Sequence, residues 1–301
     1  MLSRKASREK YKLYDAYDEN LHFALHAPLE VQRKTWENSM MDALLPSGID
    51  IKAVDEEGIS AEWVLSQDSD RQSVILYLHG GGNNQGSCIT HRELVSHIVS
   101  RSGICALVLN FPLAPEHPFP AALNNACQAY RWLQRKGFKP EDIFLGGDST
   151  GGGLALSLML LLKNNNCPMP RAAFLLSPML DFTLSGNSME TCANLDPCVF
   201  PDDLRQTVSY YCGDTVPDHP MISPLYGDIS GVPPLLLQVG SDELLLDDST
   251  RLANMAKAAG VEARMHVFDE MWHVFQFYAG NVPETDAAIA EIALYLNSHF
   301  G

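Results

Sequence analysis

The 301-residue sequence is poor in positive charge: 21 Lys and Arg stand against 37 Asp and Glu, a formal net charge of -16. Binding to a phosphate backbone rests on Lys and Arg neutralising phosphates. A nucleic-acid partner is therefore excluded, and an anionic lipid surface would repel the chain. Long apolar runs are missing too. The longest, Leu154 to Leu162, is far short of the roughly 20 residues that cross a bilayer. The basic start, Met1 to Lys12, leads into no apolar core or small-residue cleavage site, so it does not read as a secretory signal. The seven cysteines, at 88, 105, 127, 167, 192, 198 and 212, show no CxxC or other metal-ligand spacing, and an odd number cannot all pair. These absences describe a reduced, cytoplasmic protein without a metal centre or stable membrane anchoring.

Repeats, low-complexity tracts and Pro/Gly-rich linkers are also absent. Hydrophobic residues make up 46% of the chain and charged residues 19%, enough to bury a large core with little room for extended disorder. Residues 9–26 and 28–44 place apolar groups at near-helical spacing (Tyr11, Tyr14, Leu21, Leu25, then Val31, Trp36, Met40, Leu44), with Pro28 opening the second segment. Beyond Ile49 the pattern changes to short apolar or alternating runs. Eight candidate strands follow: Ile49 to Val54, Ala61 to Leu65, Val74 to Leu78, Ala106 to Leu109, Ile143 to Leu145, Ala172 to Leu176, Leu235 to Val239 and Ala263 to Phe268. Helical patterns alternate with the later ones, near 91–102, 121–136, 151–163, 248–259 and 284–299. That alternation predicts an α/β fold, a mostly parallel sheet covered on both faces. The interval Asp181 to Pro234 is too long for an ordinary connection. The expected organisation is an N-terminal helical cap over 1–45 and a catalytic domain over 46–301, with an insertion near 182–230 adding to the cap.

Strand Ile143 to Leu145 runs into Gly146-Gly147-Asp148-Ser149-Thr150-Gly151-Gly152-Gly153 and then an apolar helix. The string G-x-S-x-G arises by chance in roughly one chain in ten of this length. The strand-to-helix context is what makes it a nucleophile elbow: the tight turn exposes the Ser149 hydroxyl, and the glycines remove side chains that would collide there. A phosphate loop would need G-K-[ST], which is missing. After strand Val74 to Leu78 comes His79-Gly80-Gly81-Gly82, a run of amides unobstructed by side chains that can receive an oxyanion. The candidate donors are the amides of Gly81, Gly82 and Thr150. His79 reads as a loop anchor, because a histidine beside the donors is badly placed to face the serine as well.

A serine hydroxyl at its ordinary pKa needs a base. His273 lies in the loop after the last strand, whereas His22, His26, His91, His97, His219 and His299 read as surface or core residues. The order serine, acid, histidine then places the acid after strand Leu235 to Val239. Asp247 and Asp248 look like amino-terminal charges of the next helix, which leaves Asp242 or Glu243.

With these residues in place the sequence resembles the hormone-sensitive-lipase family of esterases, the bacterial family IV group, over nearly its whole length. His79-Gly80-Gly81-Gly82 resembles that family's oxyanion motif and Gly147-Asp148-Ser149-Thr150-Gly151-Gly152 its G-D-S-A-G-G, while Leu113 to Ala122 resembles its L-A-P-E-H-x-F-P-A-A segment. The resemblance implies an eight-stranded α/β-hydrolase sheet, a mobile N-terminal cap, no cofactor, and hydrolysis of short to medium acyl esters. It also implies the acid. The family's acid lies thirty residues before its histidine, which from His273 is Glu243. Phe111-Pro112 and Thr150 depart from the family's usual residues. Ser223-Pro224-Leu225-Tyr226 and Gly240 to Asp248 further resemble the branch that includes monoterpene ε-lactone hydrolases, and a lactone is an internal ester that the same groups would open.

The expected function is thus a serine carboxylesterase acting through an acyl-enzyme on a small-molecule ester or lactone. A non-catalytic receptor on the same scaffold is the competing class, and loss of the base, its expected mark, is not seen. A peptidase would need larger substrate-binding domains than this chain has room for. Phe200, Tyr210, Tyr211, Met221, Trp272 and Phe275 read either as an apolar pocket or as ordinary core. A homodimer is compatible with the chain.

Overall fold

The computed structural model describes residues 2–16, 27–67 and 69–300. Leu21, Leu25, His22 and His26, which entered the reading above, lie outside the described residues.

The chain opens with α1 (Arg4–Ala16) and α2 (Leu29–Met40). Helix α1 starts earlier than its apolar spacing suggests, because Ser3 caps it: the Ser3 hydroxyl accepts from the Ala6 amide at 3.1 Å. Next come β1 (Ile49–Glu56), β2 (Ile59–Ser66), β3 (Asp70–Leu78), α3 (Cys88–Ser102), β4 (Ile104–Leu109), α4 (Ala121–Arg135), β5 (Ile143–Asp148), α5 (Ser149–Asn164) and β6 (Ala172–Leu176). The long interval then carries α6 (Ser188–Thr191) and α7 (Pro201–Cys212), and the fold ends with β7 (Leu235–Gly240), α8 (Leu246–Ala259), β8 (Ala263–Phe268) and α9 (Pro283–Ser298).

The eight strands form one sheet in the order β1-β2-β4-β3-β5-β6-β7-β8. Strand β2 pairs antiparallel with both β1 and β4, and every other pairing is parallel. The central strands read as unbroken apolar runs because helices cover both faces. In β3, Leu76 and Leu78 face the layer of α4, α5 and α8, while Ile75 and Tyr77 face α3 and α9. The terminal strands β1 and β8 bury only part of their residues, as expected of strands with one neighbour.

Local signals set the helix ends. Gly103 and Gly260 adopt left-handed conformations just past α3 and α8, the usual glycine stop. Pro201 and Pro283 occupy the first positions of α7 and α9, where a missing N–H costs nothing. Helices α2 and α7 come from distant parts of the sequence, yet both line the cavity at the carboxyl ends of β3 and β5. Among the described residues no helix is long and apolar enough to cross a membrane.

Phe174 fills the space over the sheet that Gly146 leaves open: a Cβ at Gly146 would lie 2.3 Å from the Phe174 ring. That ring also packs on Tyr77 with centroids 6.1 Å apart. Phe174→Ala should cost about 3–5 kcal/mol. Urea unfolding should show it as a lower midpoint at an unchanged slope.

Candidate active site

Strand β5 passes into α5 without an intervening loop residue, so the whole change of direction falls on Ser149. Its φ is 51°, a left-handed conformation that costs a non-glycine residue on the order of 1–3 kcal/mol. Two flanking glycines make the turn possible. A Cβ at Gly151 would lie 2.1 Å from the Leu78 carbonyl oxygen and 2.3 Å from that of His79, and one at Gly147 would lie 2.6 Å from the Gly151 oxygen. The turn leaves Ser149 Oγ pointing to His273, donating to Nε2 at 3.0 Å.

His273 Nδ1 donates to Glu243 Oε2 at 2.9 Å. Glu243 is wholly buried, and its other oxygen is satisfied by the Ser177 hydroxyl at 2.7 Å and the Gly240 amide at 2.6 Å. The longer glutamate side chain is accommodated by curling back to the end of its own strand, β7. Ser177 and Val274 also hold left-handed conformations, with φ of 45° each, and the Val274 amide donates to Ser177 Oγ at 3.1 Å. Strained turns after β5 and β6 and beside His273 thus converge on one hydrogen-bonded cluster. Asp242 turns away to pair with Lys10 of α1. Asp247 and Asp248 stand in the first turn of α8, as expected, and accept from amides beyond β6, Asp247 from Ser188 at 3.0 Å and Asp248 from Leu180 at 2.6 Å.

On the other side of Ser149, Gly81 and Gly82 have φ of 103° and 65°, backbone that glycine adopts without penalty. Among the described residues no protein group accepts from either amide. Thr150, at the start of α5, has its hydroxyl engaged by the Asn83 amide at 3.1 Å. The loop stands on a buried polar layer. Asp148 accepts from the Tyr77 hydroxyl at 2.8 Å and the Gly80 amide at 3.1 Å, and His91 Nε2 lies 3.3 Å from its second oxygen. Burial alone would raise the Asp148 pKa, but the charge and hydrogen bond of His91 and the bond from Tyr77 hold it below the usual carboxylate value. His79 stacks on Phe111 at 4.2 Å and donates from Nδ1 to the Gly80 oxygen at 2.8 Å. Burial, with His91 alongside, lowers its pKa to about 3, so it stays a neutral brace.

Ser149 and His273 open on a cavity of about 280 Å³ lined by Gln32 and Trp36 from α2, Leu204 and Thr207 from α7, and Val199 and Phe277. None of the six apolar residues named from the sequence lines it: Tyr211, Trp272 and Phe275 are core, Tyr210 and Met221 pack against the core from partly buried positions, and Phe200 is partly buried just before α7. Asp196, from the interval before α7, is buried close to the cluster. Burial pushes its carboxyl up to about 7, the His273 charge opposing and the Glu243 charge adding to the rise. For His273, burial works against the charged ring, yet the hydrogen bond and charge of Glu243 and the charges of Asp196 and Asp148 outweigh it and leave the imidazole above its ordinary value.

The structure therefore brings Ser149, His273 and Glu243 into one chain of hydrogen bonds, sets Gly81, Gly82 and Thr150 beside the serine, and leaves Asp242 outside. Sequence reasoning missed Tyr77, His91, Asp148, Ser177 and Asp196. A carboxylate in the apolar and glycine run before Ser149 was the one visible signal. The others come from strands and loops far apart in sequence.

A profile described as alpha/beta hydrolase fold matches residues 75–277. An esterase of Acinetobacter venetianus is 38% identical over 251 residues, 83% of this chain and 82% of that protein. An acetyl-hydrolase of Streptomyces hygroscopicus is 38% identical over 242 residues, 80% and 81% of the two chains. Among solved structures, an esterase from the bacterial hormone-sensitive lipase family is 38% identical with a TM-score of 0.93 over 100% of both chains. EstE5, in a crystal soaked with p-nitrophenyl butyrate, is 36% identical with a TM-score of 0.93 over 99% of both chains.

Two outcomes are expected from this geometry. In an NMR pH titration the His273 ring should titrate above the ordinary value of about 6.5. Because neighbouring carboxylates favour the imidazolium, Asp196→Asn should move that midpoint down, and an unmoved or higher midpoint would contradict the electrostatic account. Gly151→Ala, forced against two carbonyl oxygens, should destabilise by about 1–3 kcal/mol or more, read by urea unfolding.

Proposed function

The chain belongs to the alpha/beta hydrolase fold family, within its hormone-sensitive-lipase group of esterases, and from that premise we propose that it is a serine carboxylesterase acting through an acyl-enzyme. The observation that carries this reading is the pair of bonds from Ser149 Oγ to His273 Nε2 at 3.0 Å and from His273 Nδ1 to the buried Glu243 at 2.9 Å.

Ser149 Oγ attacks the ester carbonyl carbon while His273 Nε2 takes the hydroxyl proton. The charge that develops on the carbonyl oxygen is received by the amides of Gly81, Gly82 and Thr150, donors oriented before that charge appears. Glu243 holds the imidazole tautomer and stabilises its cation. Collapse of the tetrahedral intermediate expels the alcohol, protonated by His273, and leaves the acyl group on Ser149. Water, deprotonated by His273, repeats the sequence and frees the acid.

The cavity of about 280 Å³ lies at the low end of the roughly 300–1,000 Å³ of small-molecule sites, which supports short acyl groups over long ones. In this reading residues 1–45 and the stretch near 182–230 act as the cap, since α2 and α7 supply walls of the cavity. A strained lactone of similar size presents the same carbonyl to the same groups.

Hydrolysis of p-nitrophenyl esters from acetate to decanoate, and of ε-caprolactone, tests the proposal. The wild type should favour the short esters, and Ser149→Ala should lose at least about 10³-fold in kcat. Equal rates in the two proteins would overturn the assignment of Ser149. On the best ester, kcat/KM should fall on acidification as His273 gains its proton, since only the neutral ring accepts the serine proton.

A further inference from the structure

Arg33, on α2, lies outside the groups that would touch substrate, yet its guanidinium makes four hydrogen bonds to the turn after β3 and to the loop after β4. Nε donates to the Asn84 carbonyl at 2.7 Å and Nη2 to the Ala114 carbonyl at 2.8 Å. Nη1 and Nη2 also bind the two oxygens of Glu116, each at 2.8 Å. Asn84 belongs to the turn that carries Gly81 and Gly82: its amide and that of Gln85 donate to the Gly81 oxygen at 3.2 and 2.8 Å. Ala114 is stitched to the same turn, its amide donating to the Asn83 oxygen at 2.8 Å. Two neighbours of Arg33 on α2 meet the turn as well. Gln32 accepts from Gln85 Nε2 at 3.0 Å, and Trp36 covers Gly81 so closely that a Cβ there would lie 3.0 Å from its ring.

Glu116 is more than half exposed, so the ion pair by itself contributes little. The two partly buried carbonyls matter more, because charge-assisted bonds in a fixed fork restrain two backbone segments at once. A glycine turn with both φ values positive has wide conformational freedom when it is not held. Amides stabilise an oxyanion efficiently only if they are oriented before charge develops.

We propose that Arg33 is the positioning residue of the oxyanion loop, pinning Asn84 and Ala114 so that the seating of α2 and the orientation of the Gly81 and Gly82 amides are a single event. This rests on the esterase reading above, and it ties the N-terminal region to transition-state stabilisation as well as to closure of the pocket.

The test compares wild type, Arg33→Ala, Arg33→Lys and Glu116→Gln by p-nitrophenyl butyrate kinetics, thermal unfolding and amide hydrogen exchange of residues 80–86. Arg33→Ala should lose about 10–100-fold in kcat with KM changed by less than about threefold, because the lost interaction acts in the transition state. Guanidinium at low millimolar concentration should restore part of that rate. Arg33→Lys, a point charge without the fork, should restore little, and Glu116→Gln should cost least. Exchange in Arg33→Ala should rise selectively at residues 80–86. Unchanged exchange there, or a kcat within twofold of wild type in a folded variant, overturns the proposal, as does faster exchange spread evenly over the chain. A wild type inert to every ester overturns the esterase reading instead, and the exchange measurement still decides whether Arg33 holds the loop.

Discussion

The turn at Ser149 is the constraint on which the rest of the site depends. A strand enters it, a helix leaves it, and the residue between is held in a conformation that L-amino acids avoid. Such strain persists only where the surroundings over-determine it. Gly147 and Gly151 remove the collisions on either side, and the Asp148 carboxylate anchors the turn from beneath through Tyr77, Gly80 and His91. Because Gly80 precedes the two glycines facing the serine, the same carboxylate registers the nucleophile and the oxyanion loop against each other. A buried charge of this kind is costly unless every lone pair finds a partner, so the arrangement tolerates little change at any of these positions.

The side of the site that carries Glu243 and His273 is built on a different principle. Their two loops are tied to each other by backbone bonds, Ser241 N to the Phe268 oxygen at 2.9 Å and Asp242 N to the Met271 oxygen at 3.1 Å. Helix α1 reaches across both, with Lys10 bonded to Asp242 and to the Glu270 carbonyl. Carboxyls surround the imidazole, and in a low-dielectric interior their field favours the cation that a base must become when it accepts a proton. Here the acidic surplus of the chain acts locally, at Glu243 and Asp196, as well as in its overall charge.

The central strands were legible because parallel strands covered on both faces must be apolar throughout, and β1, β2 and β8, which bury only part of their residues, as short runs that mix apolar and polar residues. The boundary of α1 was not, since Ser3 starts the helix through a side-chain cap in a stretch where the apolar spacing is weak. Ser149, His273, Gly81, Gly82 and Thr150 could be named because glycine spacing and strand-end placement are local features. The choice between Asp242 and Glu243 could not be made from the residues alone: both follow β7 by a few positions, and only the folded loop sends one side chain to His273 and the other to Lys10. Between pocket wall and ordinary core the residues alone left Tyr211 and Trp272 open for a related reason, and the fold places both in the core.

By itself the sequence determined the fold class, the position of the tight turn and the identity of the residues around it, because periodicity and backbone permissiveness are properties of short segments. The tertiary structure decided which carboxylate meets the imidazole, how Asp148, His91 and Ser177 support the reacting groups, and how Arg33 of α2 grips a loop some fifty residues away. These are contacts between segments remote in the chain. Their geometry is set only when the sheet brings its strand ends together, and no local pattern encodes it.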